Sequence, residues 1–223
     1  MTKPWVLFTV ALVIFSLGCA RESSTSAAGG AQIGKLQVVK GSAVVTHGAQ
    51  KTTFQSGARA SVMVGDTVAT GPGSEAVVLA SKQVHLLGEN SQLKFETVAT
   101  DGSGAGRVSL LEGVSTFLLP PSPVQKPQFE AAANSVVAAV HGTIFQLELK
   151  GGDVQVTVVR GEVEVRPDQG APPVAAKLLK AGERVLARAG KIESAPASAD
   201  EVGKIRTEVL LKKQILGADL STF

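Results

Sequence analysis

Sulfur and large aromatic side chains are scarce in this sequence of 223 residues, which contains one Cys, two Met, one Trp and no Tyr. One Cys excludes an intramolecular disulfide, a zinc site with several thiolates and an iron–sulfur cluster. Because the only Trp is Trp5, the rest of the chain lacks the usual side chains for stacking on sugars or single-stranded nucleic acid. The formal net charge of +3 is too small to indicate nucleic acid binding by itself.

The residues that are abundant favour a β protein. The chain contains 30 Val and 24 Gly, and 44% of its residues are hydrophobic. Val prefers strands and Gly permits tight turns, so this composition predicts short strands joined by turns and does not fit a helix bundle. A chain of this length can bury a real core as one domain or a compact pair.

The N-terminus has the pattern of an export signal. Lys3 is followed by an apolar run from Trp5 to Leu17, which is shorter than the roughly 20 residues that a membrane-spanning helix needs. Small residues precede Cys19, as in the lipobox of bacterial lipoproteins, where the Cys thiol receives a diacylglycerol. We therefore predict a signal peptide over residues 1–18 and lipid attachment at Cys19. The alternatives are a plain signal peptide with an incidental Cys, or a short buried apolar segment.

Residues 19–32 are rich in Ser, Ala and Gly and are predicted to be a flexible tether. Ala20 follows the Cys, whereas enterobacterial lipoproteins retained in the inner membrane have Asp there. By that analogy the chain is expected on the outer membrane, facing the periplasm.

Strand patterns fill residues 33–195. Alternating apolar residues on both sides of Gly151 and Gly152 predict a β-hairpin. A weak repeat, in which an apolar pair, a charged residue and Gly precede a strand, contains Gly41, Gly113 and Gly161 and suggests strands that turn corners and stack. The alternation of apolar residues shifts at Gly161, which suits a bulge or a sharp corner there. A second recurring unit, Gly followed by an acid, comprises Gly65-Asp66 and Gly182-Glu183. The predicted fold is all-β, a short β-solenoid or sandwich.

The spacing of apolar residues changes from that of a strand to that of a helix in residues 196–223. Val202, Ile205, Val209 and Leu216 recur at helical spacing behind a capping box, which predicts an amphipathic helix over about 199–216. This stripe either packs on its own domain or forms a partner-binding or membrane-surface face.

Segments spread over residues 33–190 resemble the FecR domain family. They are Ile33–Leu36 with Gly41, Val64–Gly71, Ser74–Leu79, Gly113, Ser135–Phe145, Gly161–Val163 and Leu179–Glu183. The resemblance implies an extracytoplasmic β module, with Gly142, Thr143, Phe145, Gly161 and Gly182 as structural motif residues. The family's iron-uptake regulators signal across the membrane and bind a sigma factor through a cytoplasmic segment, which this chain lacks, so no sigma factor contact is expected.

No motif in the sequence points to catalysis, a metal or a cofactor. His47, His85 and His141 lie among small or apolar residues, without a second ligand at metal spacing. Gly-x-Ser-x-Gly is absent, and Gly71–Ser74 lacks the Lys of a phosphate loop. Glu162 and Glu164 share one strand face and could form an acidic pair, but alternating charges on a strand usually mark its solvent-exposed face.

Three functions remain to be weighed. The first is a non-catalytic protein-binding or signalling module, anchored in the bacterial envelope by Cys19, whose partner is another envelope protein. The second is a structural or assembly factor of an envelope or secretion system. The third, an enzyme, has the least support. An exported chain does not meet nucleic acid, so none is expected as a partner.

Overall fold

A computed structural model describes residues 30–98, 105–121, 129–140, 142–171, 174–188 and 191–216. These residues form strands throughout and one helix at the end, as the composition predicts. The predicted signal peptide, Cys19 and His141 lie outside the described residues. The elements are β1 (Gln32–Lys40), β2 (Ser42–His47), β3 (Gln50–Gln55), β4 (Arg59–Met63), β5 (Thr67–Thr70), β6 (Glu75–Ala80), β7 (Gln83–Leu87), β8 (Gln92–Val98), β9 (Gly106–Leu118), β10 (Phe129–Ala133), β11 (Val136–Val140), β12 (Ile144–Lys150), β13 (Asp153–Arg160), β14 (Glu162–Pro167), β15 (Lys177–Lys180), β16 (Glu183–Arg188), β17 (Lys191–Pro196) and α1 (Ala199–Leu216).

The strands form two sheets that share β9. Sheet A has the order β4-β1-β6-β7-β9-β12-β13-β16-β17. Sheet B has the order β3-β2-β5-β8-β9-β10-β11-β14-β15. Among the described strands, β9 and β10 run parallel and every other pair is antiparallel. Inward side chains of both sheets meet in one core, so the fold is a β-sandwich.

Corners at glycine carry the chain from one sheet to the other. β9 pairs in sheet B from Gly106 to Glu112 and in sheet A from Gly113 to Leu118. Gly41 stands between β1 of sheet A and β2 of sheet B, and Gly161 between β13 of sheet A and β14 of sheet B. All three glycines have positive φ, at 67°, 80° and 84° in chain order. The weak sequence repeat is therefore a repeated corner, as predicted.

The predicted hairpin is also present. Lys150 pairs with Asp153, and Gly151 and Gly152, both with positive φ, form the two-residue loop between β12 and β13. This is the backbone conformation that a two-residue turn requires when it joins twisted antiparallel strands.

Helix α1 spans the predicted residues and covers the outer face of sheet A. Val202, Ile205 and Val209 are buried there. Their partners are apolar side chains on the outward face of the sheet and next to it: Val77, Val84, Leu86, Leu118, Ile144 and Val159. Strands that are apolar on both faces need a cover on each side, and the helix supplies the outer one. In the part of the chain that the structure describes, no helix is long and apolar enough to cross a membrane.

The helical stripe is therefore not a free partner-binding face. Val202, Ile205 and Val209 contact the protein's own sheet, which is the first of the two alternatives, because the outer face of sheet A is itself apolar. The side chain of Leu216 lies outside the described residues. Among the side chains of α1 that the structure describes, Leu210 and Leu211 are the large apolar ones that are exposed.

Candidate functional site

The corner glycines pack against hydroxyl side chains of neighbouring turns. A Cβ at Gly41 would lie 2.2 Å from Oγ of Ser74, which accepts a hydrogen bond of 3.1 Å from the backbone N–H of Ser42. A Cβ at Gly113 would lie 2.4 Å from Oγ of Ser91, which accepts a hydrogen bond of 2.9 Å from the N–H of Val114. In both corners the residue after the glycine has a backbone N–H that bonds to none of the neighbouring strands that the structure describes. The serine hydroxyl accepts the hydrogen bond from that N–H.

The family motif Gly142-Thr143-x-Phe145 occupies the third corner. A Cβ at Gly161 would lie 2.8 Å from Cγ2 of Thr143, so this glycine permits the same close approach. Thr143 is completely buried, and its carbonyl oxygen accepts a 2.9 Å hydrogen bond from Leu119 N–H. Its Oγ1, in contrast to the two serine hydroxyls, has no hydrogen-bond partner within the described part of the chain. Thr143 therefore contributes packing contacts at this corner, whereas Ser74 and Ser91 contribute hydrogen bonds at the other two.

This difference predicts opposite effects of two conservative substitutions. Ser91→Ala leaves Val114 N–H without its partner and should lower the free energy of unfolding by about 1–3 kcal/mol. Thr143→Val keeps both branches of the side chain and removes an unpaired buried hydroxyl, so stability should stay unchanged or rise. Urea denaturation of both variants checks this. A loss for Thr143→Val equal to that for Ser91→Ala would show that Thr143 Oγ1 makes a bond of similar value.

The other motif residues are also structural. Phe145 is fully buried and stacks on Phe117, with ring centroids 4.9 Å apart. Gly182 has φ of 87° in the turn between β15 and β16, and its N–H donates to the carbonyl oxygen of Val158 at 2.8 Å. These positions hold turns and the core in place and present no reactive group.

The two Gly-acid units close turns in the same way. The carboxylate of Asp66 accepts a 2.8 Å hydrogen bond from Met63 N–H, and that of Glu183 accepts a 2.7 Å bond from Lys180 N–H. In both, the acid satisfies the backbone three residues before it. Asp66 is nearly completely buried and also lies 2.5 Å from Nδ1 of His47, which is about one third exposed. His47 and Asp66 thus form a pair beside an open cleft.

His85 belongs to the hydrophobic core. It is fully buried among the rings of Phe95, Phe117 and Phe129, at centroid distances of 5.4, 5.4 and 5.8 Å. Neither ring nitrogen has a hydrogen-bond partner within the described residues. Burial lowers the pKa of this imidazole to about 3, so it is neutral at physiological pH.

A network of charges covers part of the outer face of sheet B. Arg107 contacts three carboxylates, those of Glu96 at 3.1 Å, Glu130 at 2.9 Å and Asp168 at 2.6 Å. Glu130 also pairs with Arg166. Burial opposes the charge on Arg107, but the carboxylates outweigh it and raise its pKa. Two arginines and three carboxylates leave the network with a formal charge of −1, and its ion pairs link β8, β9, β10, β14 and the segment after β14.

Helix α1 carries a partly buried acid, Glu208. Burial raises the pKa of Glu208, Glu75 raises it further, and Lys212 opposes both. Lys212 pairs with Glu75, which lies on β6, so this contact fastens the end of the helix to sheet A. Within the described residues, no three His, Cys, Asp or Glu side chains are placed to hold a metal ion.

Some of these residues were not predicted from the sequence. Ser74 and Ser91 share a recognisable signal, because each is the fourth residue of a Gly-x-x-Ser segment, beginning at Gly71 and Gly88. The Arg107 network has no such signal, since its members come from distant strands and their spacing in the sequence is irregular.

Comparison with known proteins agrees with the fold. Residues 66–164 match the family described as FecR protein, a stretch that includes the corners at Gly113 and Gly161. No curated protein sequence matches the chain.

Two solved structures share the architecture. Both are described as a "putative anti-sigma factor from Parabacteroides distasonis ATCC 8503", at 21% and 20% identity to this chain, each with a TM-score of 0.51. The similarity covers 61% of this chain and 62% of each of those chains, so this chain matches less than two thirds of their length. At this identity the likeness establishes the fold.

Proposed function

Since residues 66–164 belong to the FecR family, we propose that the chain is a non-catalytic protein-binding module of the bacterial envelope, held at the membrane by a lipid on Cys19. The family match carries this proposal. It is supported by the motif residues, because Gly142, Thr143, Phe145, Gly161 and Gly182 all serve turns and core packing. Because the motif residues are structural, the functional groups of the domain are expected on its surface. A functional surface suits binding and signalling better than catalysis.

The proposal makes the partner another envelope protein. The solved neighbours are named as anti-sigma factors. This chain would share with them a regulatory role that depends on binding another protein. A domain exported behind a signal peptide lies across the membrane from any sigma factor. We therefore propose that signalling passes through an envelope partner, with the outer membrane as the site of anchoring.

Removal of the lipid-bearing thiol tests the anchor. Cys19→Ala in the full chain should abolish incorporation of a palmitate analogue and move the protein from the membrane fraction to the soluble fraction, or leave its signal peptide uncleaved. Metabolic labelling and fractionation measure both effects. A variant that still incorporates the label would refute the lipidation. One that loses both the label and its signal peptide but stays on membranes would reveal a second anchor.

The partner is identified by proximity labelling from the anchored wild-type chain in its native host. Cys19→Ala is the matched control, because it carries the same folded domain without the lipid. Proteins labelled by the anchored form and not by the control are the expected result. An absence of any such protein, together with altered envelope architecture on deletion, would instead favour a structural or assembly role.

A further inference from the structure

Strand β3 is an edge strand that leaves its backbone open to pairing. It lies at one end of sheet B and, among the described strands, pairs with β2 alone. Its side chains are exposed except for Phe54, which is partly buried against the core. An edge of this kind presents unpaired N–H and C=O groups to another strand.

The register identifies the free groups. β2 and β3 are joined by the two residues Gly48 and Ala49, so His47 and Gln50 form the hydrogen-bonded pair that closes the hairpin. Because such pairs alternate along an antiparallel ladder, Gln50, Thr52 and Phe54 bond toward β2. The N–H and C=O groups of Lys51, Thr53 and Gln55 therefore point away from the sheet. Of these, the carbonyl of Gln55 also accepts a 2.9 Å bond from Ala58 N–H.

We propose that two copies of this chain pair through β3, antiparallel, about a two-fold axis at Thr53. In that register Thr53 faces Thr53 of the second copy, and Lys51 faces Gln55. These are the residues whose N–H and C=O groups point away from the sheet. On the inner face Thr52 lies opposite Phe54, twice. Threonine pairs and aromatic–β-branched pairs stabilise antiparallel strands, and the only charge, that of Lys51, lies opposite a neutral side chain.

A cleft beside β3 gains a cover in this arrangement. The cleft encloses about 230 Å³ between the inner side of β3 and strand β4, and Val45, Phe54 and Met63 are among its apolar lining residues. A two-fold axis perpendicular to the sheet keeps the inner faces of both copies on the same side, so the second strand extends the sheet along the open flank of the cleft. Gly30 also lines the cleft, so the N-terminal segments of both copies start on one side of the dimer, as attachment to one membrane requires.

The other edge strands are less suited to pairing. β15 has four residues and begins and ends with Lys177 and Lys180. β17 carries Lys191 and ends in Pro196, which cannot donate to a neighbouring strand. β4 has five residues and begins with Arg59. Short length, Lys and Pro are the usual protections of a sheet edge, whereas β3 has six residues, one Lys and no Pro.

A cysteine at the symmetry axis tests the pairing in the full chain. Residues that face each other in a hydrogen-bonded pair have Cα atoms about 5.5 Å apart, within disulfide range. Thr53→Cys should therefore give a covalent dimer on mild oxidation, seen on a non-reducing gel. Lys51→Cys is the matched control, because its two copies are separated by four residues along the strands, roughly 13 Å. The unsubstituted chain controls for Cys19. Equal cross-linking at positions 51 and 53, or none at 53, would overturn the proposal.

Light scattering of the detergent-solubilised chain gives a second readout. The wild type should have the protein mass of a dimer. Thr53→Pro removes an N–H that points to the free edge and leaves the bonds to β2 intact, so it should give a monomer with an unchanged melting temperature. Thr53→Glu, which sets two carboxylates opposite each other, should do the same if proline distorts the strand. A wild-type monomer, or a Thr53→Glu dimer, would refute pairing through β3 and leave the proposed envelope function untouched.

Discussion

Gly113→Ala should strongly destabilise the domain. Its φ of 80° is unfavourable for any residue with a side chain, at about 1–2 kcal/mol. The added Cβ would also lie 2.4 Å from the carbonyl oxygen of Asn90, and backbone cannot move aside as the end of a side chain can. Overpacking of this kind typically costs a further 1–3 kcal/mol. We expect the free energy of unfolding to fall by roughly 2–5 kcal/mol in chemical denaturation.

Gly182→Ala is the matched control for this effect. Gly182 has nearly the same φ, 87°, but no atom lies within 4 Å of the position that its Cβ would take. Its loss should be limited to the conformational cost of about 1–2 kcal/mol. If the two variants lost the same stability, the close packing of Gly113 on the Asn90–Ser91 turn would contribute nothing. The corner would then need glycine only because its φ is positive.

His85→Leu should make the protein resistant to mild acid. In the unfolded chain this imidazole takes a proton near pH 6.5, and in the folded domain only near pH 3, because burial lowers its pKa. Between these values the unfolded state binds more protons, so the free energy of unfolding falls as the pH falls, by about 1.4 kcal/mol per pH unit. The wild type should lose about 3 kcal/mol more than His85→Leu between pH 7 and pH 4.5. Denaturation at a series of pH values measures the difference.

The comparison between wild type and variant isolates this one group. Carboxylates and the other histidines titrate in both proteins, so their contributions cancel in the difference. At pH 7 His85→Leu should be as stable as the wild type or more stable, because it replaces two unpaired ring nitrogens by an aliphatic side chain of similar size beside Phe95, Phe117 and Phe129. Parallel pH curves for the two proteins would mean that the folded domain admits the proton.

Sequence patterns were sufficient to predict those elements whose formation depends on residues within the segment itself. The hairpin at Gly151-Gly152 and the helix over 199–216 follow from spacing within the segments themselves. The corners at Gly41, Gly113 and Gly161 followed from a repeat, because each needs a residue that tolerates positive φ. The sheet orders could not be predicted, since they depend on pairings between distant strands such as β1 with β6 and β11 with β14.

The helix is an example of a contact that the sequence pattern could not predict. Its apolar stripe indicated a buried face, but not which surface would bury it. The answer lay in strands that are apolar on both faces, such as β7, whose residues are all buried. In the same way His85 resembled any other histidine in the sequence, and only the three surrounding phenylalanines, from three different strands, explain its lowered pKa.

Helix α1 follows every strand of sheet A in the sequence, and this order has a consequence during synthesis. The chain grows from its N-terminus, so all strands of sheet A exist before the helix that covers them. Until residues 199–216 emerge, the apolar patch that includes Val77, Val84, Leu86 and Ile144 faces water, and it is a ready target for chaperones and for aggregation. Synthesis of α1 thus allows this patch to be covered, and a chain that stops before Ala199 would leave the patch exposed to water permanently.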